Sequence, residues 1–132
     1  MSDQRIITYR PEIRFADIDI MGHVNNAVYL SYFEQARMNY FHELLEGSWD
    51  WKKDGILLAH NAIDYLKPIT LHDKIDIKVW CDEVGNKSFS MKYSFINTES
   101  GKETTTGKSV LVSFNYLEQK TVPVPERWRV IF

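Results

Sequence analysis

The stretch RFADIDIMGHVNN, Arg14 to Asn26, brings two carboxylates, a glycine, a histidine and two asparagines into one connection. Carboxylates and imidazoles move protons or attack carbonyl carbon near neutral pH, and asparagine both donates and accepts. An aromatic-rich run follows. If that run is a helix, the backbone N–H groups around Asn25 to Val28 are its unpaired donors and the positive end of its dipole. An anion or a developing oxyanion is favoured there. Gly22 lets a ligand approach the backbone, and Asn25 or Asn26 suits the N-cap. The same residues also suit an ordinary turn and cap, so local chemistry leaves a structural and a catalytic reading open.

Other chemistries fit less well. D-x-D after an apolar strand occurs in phosphoryl transfer, yet the chain lacks the alternating βα units and glycine-rich loop that accompany it. Asp17, Asp19 and His23 match no metal signature with a defined ligand geometry, so no metal and no other cofactor is expected. Cys81 falls on the apolar face of a strand pattern, which predicts a small buried side chain rather than a nucleophile.

The elements that position this stretch are legible as periodicities. From Asn26 to Glu46 the polar residues Ser31, Gln35, Asn39, His42 and Glu46 recur every three or four positions, the period of a helix. Tyr29, Tyr32, Phe33, Ala36, Tyr40, Phe41, Leu44 and Leu45 occupy most of the remaining circumference, too wide an apolar arc for a helix lying on a surface. The pattern predicts a helix wrapped by other elements.

Downstream, Ile75, Ile77, Val79 and Cys81 alternate with polar residues or Trp80. Phe89, Met91, Tyr93 and Phe95 repeat the alternation, as do Val110, Val112, Phe114 and Tyr116. The intervening VGNKS and NTESGKE hold turn residues, which predicts antiparallel hairpins. Arg5 to Phe15 and Ile56 to Leu66 are less regular and complete five strands. The order β-α-β-β-β-β predicts an α+β fold, an antiparallel sheet curled around one central helix. Its open edges make a dimer physically plausible. The segment GSWDWKKDG, with Trp49 and Trp51 beside charges, is read as an exposed loop that is either a lid or interface element or a surface hydrophobic staple.

Bulk properties frame the function. At 132 residues the chain is expected to be one domain, 1–132, with a real core. Hydrophobic residues at 44% and aromatics at 14% exclude a disordered chain. A net charge of -2 argues against nucleic acid as partner. A single cysteine excludes an intrachain disulfide framework. The opening MSDQRIITYR lacks an apolar leader core, and no apolar run approaches the ~20 residues of a membrane span, so a cytoplasmic protein is expected.

The run D-I-D-I-M-G-H-V-N-N-A-V-Y-L-S-Y-F-E-Q-A-R, Asp17 to Arg37, resembles the signature of hotdog-fold acyl-CoA thioesterases of the 4-hydroxybenzoyl-CoA thioesterase family. D-Y-L-K-P-I, Asp64 to Ile69, and V-G-N-K-S-F, Val84 to Phe89, follow in that family's order, so the resemblance covers nearly the whole chain. It implies a hotdog fold, a five-stranded antiparallel sheet wrapped around one long central helix. It further implies hydrolysis of an acyl-CoA substrate to a free acid and CoA, by a homodimer or homotetramer.

By the same resemblance the second aspartate of D-x-D, Asp19, is the catalytic carboxylate. It either attacks the thioester carbonyl or activates a water, while backbone N–H groups near Asn26 hold the carbonyl oxygen. G-H-V-N-N also resembles plant acyl-carrier-protein thioesterases, in which the histidine matching His23 joins an aspartate and an asparagine. Here that asparagine falls at Met21, so His23 is read either as a partner of Asp19 or as a residue that orients the loop. Lys87 and Ser88 match the loop that contacts CoA phosphates in the family, and Arg127 and Arg129 either add to that charge or face water. Glu34 and Arg37, three residues apart on the helix, are expected to form an ion pair or a subunit contact, with Glu34 as a second catalytic carboxylate the other reading. His60 and Asp64 are read as structural or pocket-lining. Two other classes stay open: a non-catalytic acyl-CoA binding or sensing protein, and a hydratase or dehydratase acting on acyl thioesters.

Overall fold

The computed structural model describes residues 5–132; the first four residues of the opening MSDQRIITYR lie outside it. Strict alternation of side chains builds the sheet. In β3 (Ile75–Val84) Ile75, Ile77, Val79 and Cys81 are buried, and in β4 (Ser88–Asn97) Phe89, Met91, Tyr93 and Phe95 are buried, as the alternation predicts. The other strands are β1 (Ile7–Tyr9), β2 (Gly55–Tyr65), β5 (Glu103–Asn115) and β6 (Lys120–Thr121). They form one antiparallel sheet in the order β1-β3-β4-β5-β2, with β6 paired to the end of β5.

Helix α1 (Val28–Leu44) lies across this sheet. Tyr29, Tyr32, Phe33, Ala36, Arg37, Tyr40 and Phe41 are its buried residues, at spacings of three and four that define a single face. Burying each large side chain is worth about 1.5–3 kcal/mol. Phe33 stacks on Tyr93 with centroids 4.1 Å apart and planes 5° apart. The Phe33 ring also fills the space at Gly107 on β5, where any Cβ would overlap it.

A second aromatic cluster closes the far end of the helix. Phe41, Phe89 and Trp128 meet at centroid distances of 5.1 to 5.9 Å, and Trp49 and Phe132 pack against them. Trp128 belongs to α2 (Glu126–Ile131), a short helix that follows Pro125. Arg127 of this helix donates to the Ser48 carbonyl at 2.8 Å, and Arg129 donates to the carbonyls of Gly85 and Asn86 at 2.6 and 3.0 Å. Both arginines are fasteners between α2 and two loops, whereas the sequence reading gave them to phosphate or water.

Several expectations change. The sheet has six strands, because two-residue β6 is too short to produce an alternating signal. The expected strand Arg5 to Phe15 contracts to Ile7–Tyr9, since Pro11 has no N–H for a ladder and the chain then turns into a 3-10 helix at Phe15–Asp17. Trp49 belongs to the aromatic core, with its indole N–H donated to the Asp54 carbonyl at 2.7 Å; only Trp51 is exposed. Within one chain α1 is covered on one face, and Leu30 and Met38 remain 40% and 41% exposed beside the sheet edge.

Gly107→Ala is expected to cost about 1–3 kcal/mol, because the added methyl must displace a stacked, fully buried ring. Chemical denaturation checks this, and Phe33→Leu in the same chain should recover part of the loss.

Candidate active site

The connection between β1 and α1 is organised by its first aspartate. Asp17 is buried. Its Oδ2 accepts the Arg14 backbone N–H at 3.0 Å and the Tyr32 hydroxyl at 2.7 Å, while its Oδ1 accepts Arg14 Nη2 at 3.0 Å. Burial alone raises its pKa; the Arg14 amide, the Tyr32 hydroxyl and the Arg14 guanidinium together outweigh it and hold the carboxyl below its ordinary value. The Asp17 carbonyl accepts the Asn25 N–H at 2.8 Å, closing the loop.

Between those two residues the chain makes a tight excursion. Ile18 and Val24 form a single antiparallel bridge, Asp19 N–H donates to the His23 carbonyl at 2.9 Å, and Gly22 N–H donates to the Asp19 carbonyl at 3.0 Å. Gly22 sits at φ +83°, a conformation that glycine adopts without penalty. The tip carries Ile20, fully exposed, and Met21. Asp19 Oδ1 accepts the Met21 N–H at 2.9 Å, which fixes the carboxylate.

The helix start differs by one step from expectation. Ala27 occupies the cap position of α1 and offers no side-chain cap. Asn25 takes over the role from two residues before Ala27, its Oδ1 accepting the Ala27 N–H at 2.9 Å and its carbonyl the Val28 N–H at 2.9 Å. The Asn26 N–H meets no acceptor among the described residues.

These pieces converge. A cavity of about 370 Å³ is lined by Asp19, His23 and Asn26, together with Tyr29, Tyr65 at the end of β2 and Lys67 just beyond it. The Tyr65 hydroxyl donates to the Asn26 carbonyl at 3.0 Å, and its ring meets Tyr29 edge-on at 4.9 Å. Burial pushes the Tyr29 hydroxyl up to about 12, with the nearby Tyr65 and Asp19 adding to the shift. From sequence, Tyr29, Tyr32 and Phe33 suit either an aromatic acyl pocket or the core, and Tyr29 lines the cavity; Tyr65 and Lys67 were not singled out, although D-Y-L-K-P-I contains both. The cavity thus brings a carboxyl group and an imidazole between aromatic walls beside the start of a helix, parts that can hold and attack a carbonyl.

The remaining expected residues lie elsewhere. Ser88 lines a shallow cavity of about 220 Å³ that also includes Lys108; Lys87 is exposed beside it, its carbonyl accepting the Ser113 N–H at 2.8 Å. Ser88 pairs with Val112, which pairs with Leu57, whereas Tyr65 ends the other end of β2. Leu57 to Tyr65 is roughly 25 Å at ~3.3 Å per residue. Within one chain the two regions therefore sit at opposite ends of the sheet. Asp64 faces the other side of the sheet from Tyr65, lining a separate cavity of about 320 Å³, and His60 is exposed on β2. No ion pair joins Glu34 to Arg37; Arg37 Nη1 donates to the Tyr93 hydroxyl at 3.1 Å instead. Cys81 is buried, and burial pushes its thiol up to about 12. Among the described residues no three His, Cys, Asp or Glu gather where they could hold a metal ion, and no helix is long and apolar enough to cross a membrane.

A long helix laid across an antiparallel sheet is the architecture of hotdog thioesterases. The chain belongs to the thioesterase-like superfamily, which matches residues 13–131. It is similar to a thioesterase from Thermus thermophilus, solved in complex with coenzyme A and Zn, with 36% identity, coverage of 94% of this chain and 89% of that one, and a TM-score of 0.81. It is 32% identical to the uncharacterized protein YsmA of Bacillus subtilis (strain 168), over 83% of this chain and 74% of that protein. It is 28% identical to a 1,4-dihydroxy-2-naphthoyl-CoA hydrolase of Picosynechococcus sp., over 91% and 89% of the two chains.

Because the carboxyl of Asp17 is held below its ordinary value, it contributes stability that is fully present above ~pH 4, the unfolded carboxylate pKa, and lost as pH falls through the folded one. Asp17→Asn is expected to cost about 1.5–3 kcal/mol at neutral pH, the loss of hydrogen bonds to a charged group, and to flatten the acid limb. Thermal unfolding of both proteins from pH 7 to pH 3 checks this.

Proposed function

We propose that the protein is an acyl-CoA thioesterase that hydrolyses a thioester to a carboxylic acid and CoA, with the chemistry of the 4-hydroxybenzoyl-CoA thioesterase family. One observation carries the reading: Asp19, His23 and Asn26 line a single cavity at the start of α1. The substrate carbonyl oxygen sits on the Asn26 N–H at the positive end of the helix, where negative charge develops as the carbon becomes tetrahedral. Asp19 either adds to that carbon, giving a mixed anhydride that water then hydrolyses, or takes a proton from the attacking water. One of its oxygens is committed to Met21 N–H, which leaves the other for the reaction. His23, across the loop, positions the water or receives its proton. The thiolate of CoA departs without needing a strong general acid.

A second copy of the chain completes this site. β2 pairs only with β5 among the described strands and exposes Leu57 and Leu58. Antiparallel pairing of two β2 strands sets the Leu57 end of one copy against the Tyr65 end of the other, so the Lys87 and Ser88 loop of one copy approaches the Asp19 cavity of its partner. That removes the ~25 Å gap present within one chain and lets those residues meet the CoA phosphates. A homodimer is thus the smallest active unit, and its buried free thiol suits the cytoplasm.

Thiol release from short, long and aromatic acyl-CoAs tests the activity. Asp19→Asn is expected to lower kcat by about 10²–10⁴-fold with the fold unchanged, and His23→Ala to lower kcat and flatten one limb of the pH–rate profile. Full rate in Asp19→Asn moves the chemistry to another residue. Leu58→Lys is expected to yield monomers in size-exclusion chromatography and to lose activity with the dimer.

A further inference from the structure

A second cavity opens in the same seam between α1 and β2, toward the other end of the strand. It measures about 290 Å³, near the lower limit of ligand pockets, and apolar residues dominate its walls: Met38, Ile56, Leu57, Leu58 and Leu111. Arg37 also lines it. Arg37 as a whole is only 5% exposed, yet none of the described carboxylates pairs with its guanidinium.

The network behind Arg37 cannot neutralise it. Arg37 Nη1 donates to Tyr93, the Tyr93 hydroxyl donates to Ser109 at 2.9 Å, and the Ser109 hydroxyl donates to Asn61 Oδ1 at 2.5 Å. Every proton in this chain points away from the arginine, and the chain ends on a neutral amide. Arg37 Nε is buried with no partner among the described residues. A buried cation left this way is costly, and the free energy is recovered when an anion docks on it. Glu34 stands on the cavity wall three residues earlier, but it is exposed and pairs with nothing among the described residues.

The cavity is also in line with the reaction site. Leu30, Glu34 and Met38 continue from Asn26 at intervals of four, a ridge beside the β2 edge on which the second copy is seated, and Leu30 and Met38 are its apolar members exposed within one chain. From Tyr29, in the Asp19 cavity, to Arg37 is about 12 Å at ~1.5 Å per residue. An acyl group whose carbonyl sits at the helix start can therefore lie along this ridge and end at Arg37.

We propose that Arg37 determines acyl specificity by binding a terminal carboxylate, so that the preferred substrates are ω-carboxyacyl thioesters, the monothioesters of dicarboxylic acids. The apolar walls take the methylene body and the guanidinium takes the distal carboxylate. The proposal rests on the thioesterase reading, and matched substrate pairs separate the two. Succinyl-, adipyl- and suberyl-CoA are compared with butyryl-, hexanoyl- and octanoyl-CoA by thiol release.

The wild-type protein is expected to favour at least one carboxylate-ended member by tenfold or more in kcat/KM. Arg37→Met keeps the length of the side chain without the charge, and should bring that ratio to one or below, while Arg37→Lys keeps part of it. Glu34→Gln, on the exposed side of the cavity, should raise the ratio severalfold by removing a repelling charge, and serves if Arg37→Met does not fold. Hydrolysis of both members of every pair at equal kcat/KM overturns the role of Arg37 and leaves the thioesterase reading standing. A ratio that Arg37→Met or Glu34→Gln leaves unmoved overturns it equally. Hydrolysis of neither member of any pair overturns the thioesterase reading itself.

Discussion

The buried carboxylate of Asp17 is the constraint from which the site follows. A charge taken out of water must be repaid by charge and hydrogen bonds, and Arg14 and Tyr32 supply them from opposite sides. Arg14 belongs to the connection after β1 and Tyr32 to the second turn of α1, so satisfying one side chain fastens the loop to the helix. The Asp17 carbonyl extends the fastening to Asn25, and only seven residues then remain to travel out and back. Asp19 and Asn26, just before the helix, line the same cavity because the chain has no slack to separate them.

Most of the architecture was legible because alternation and helical period are written residue by residue. β3, β4 and α1 fall where their patterns put them, since each buries one regular face. What eluded the sequence had no period to read. β2 lies at an edge and carries a register shift between Leu58 and His60, which breaks its alternation; β6 is two residues long; and α2 was passed over although Pro125, Glu126 and the spacing of Trp128 to Ile131 and Phe132 mark a short amphipathic turn.

Asp19, His23 and Asn26 were legible as neighbours, while the different placements of the two aspartates were not. Two aspartates two apart share one face in a strand, but here the chain leaves a 3-10 turn at Asp17 and becomes extended at Ile18, which sends one carboxylate inward and the other to the cavity. Glu34 and Arg37 have the spacing of an ion pair, yet Arg37 turns under the sheet toward Tyr93 and Glu34 stays outside, a choice set by tertiary packing. Lys87 and Ser88 are next to each other in sequence and far from Asp19 in one chain, a distance that no local pattern encodes.

β2 offers a rim of open amide and carbonyl groups eleven residues long, whose only charged residue, Asp64, stands next to its end. Such a border is the template on which chains stack into fibres, and proteins ordinarily guard it with lysines or proline. Here the guard is geometric. The irregularity at Ala59 bends and twists the rim, so a flat, endlessly repeated stack is disfavoured while a single closed union of two bent rims is not. One misplaced residue in the ladder thereby guards the border against endless stacking.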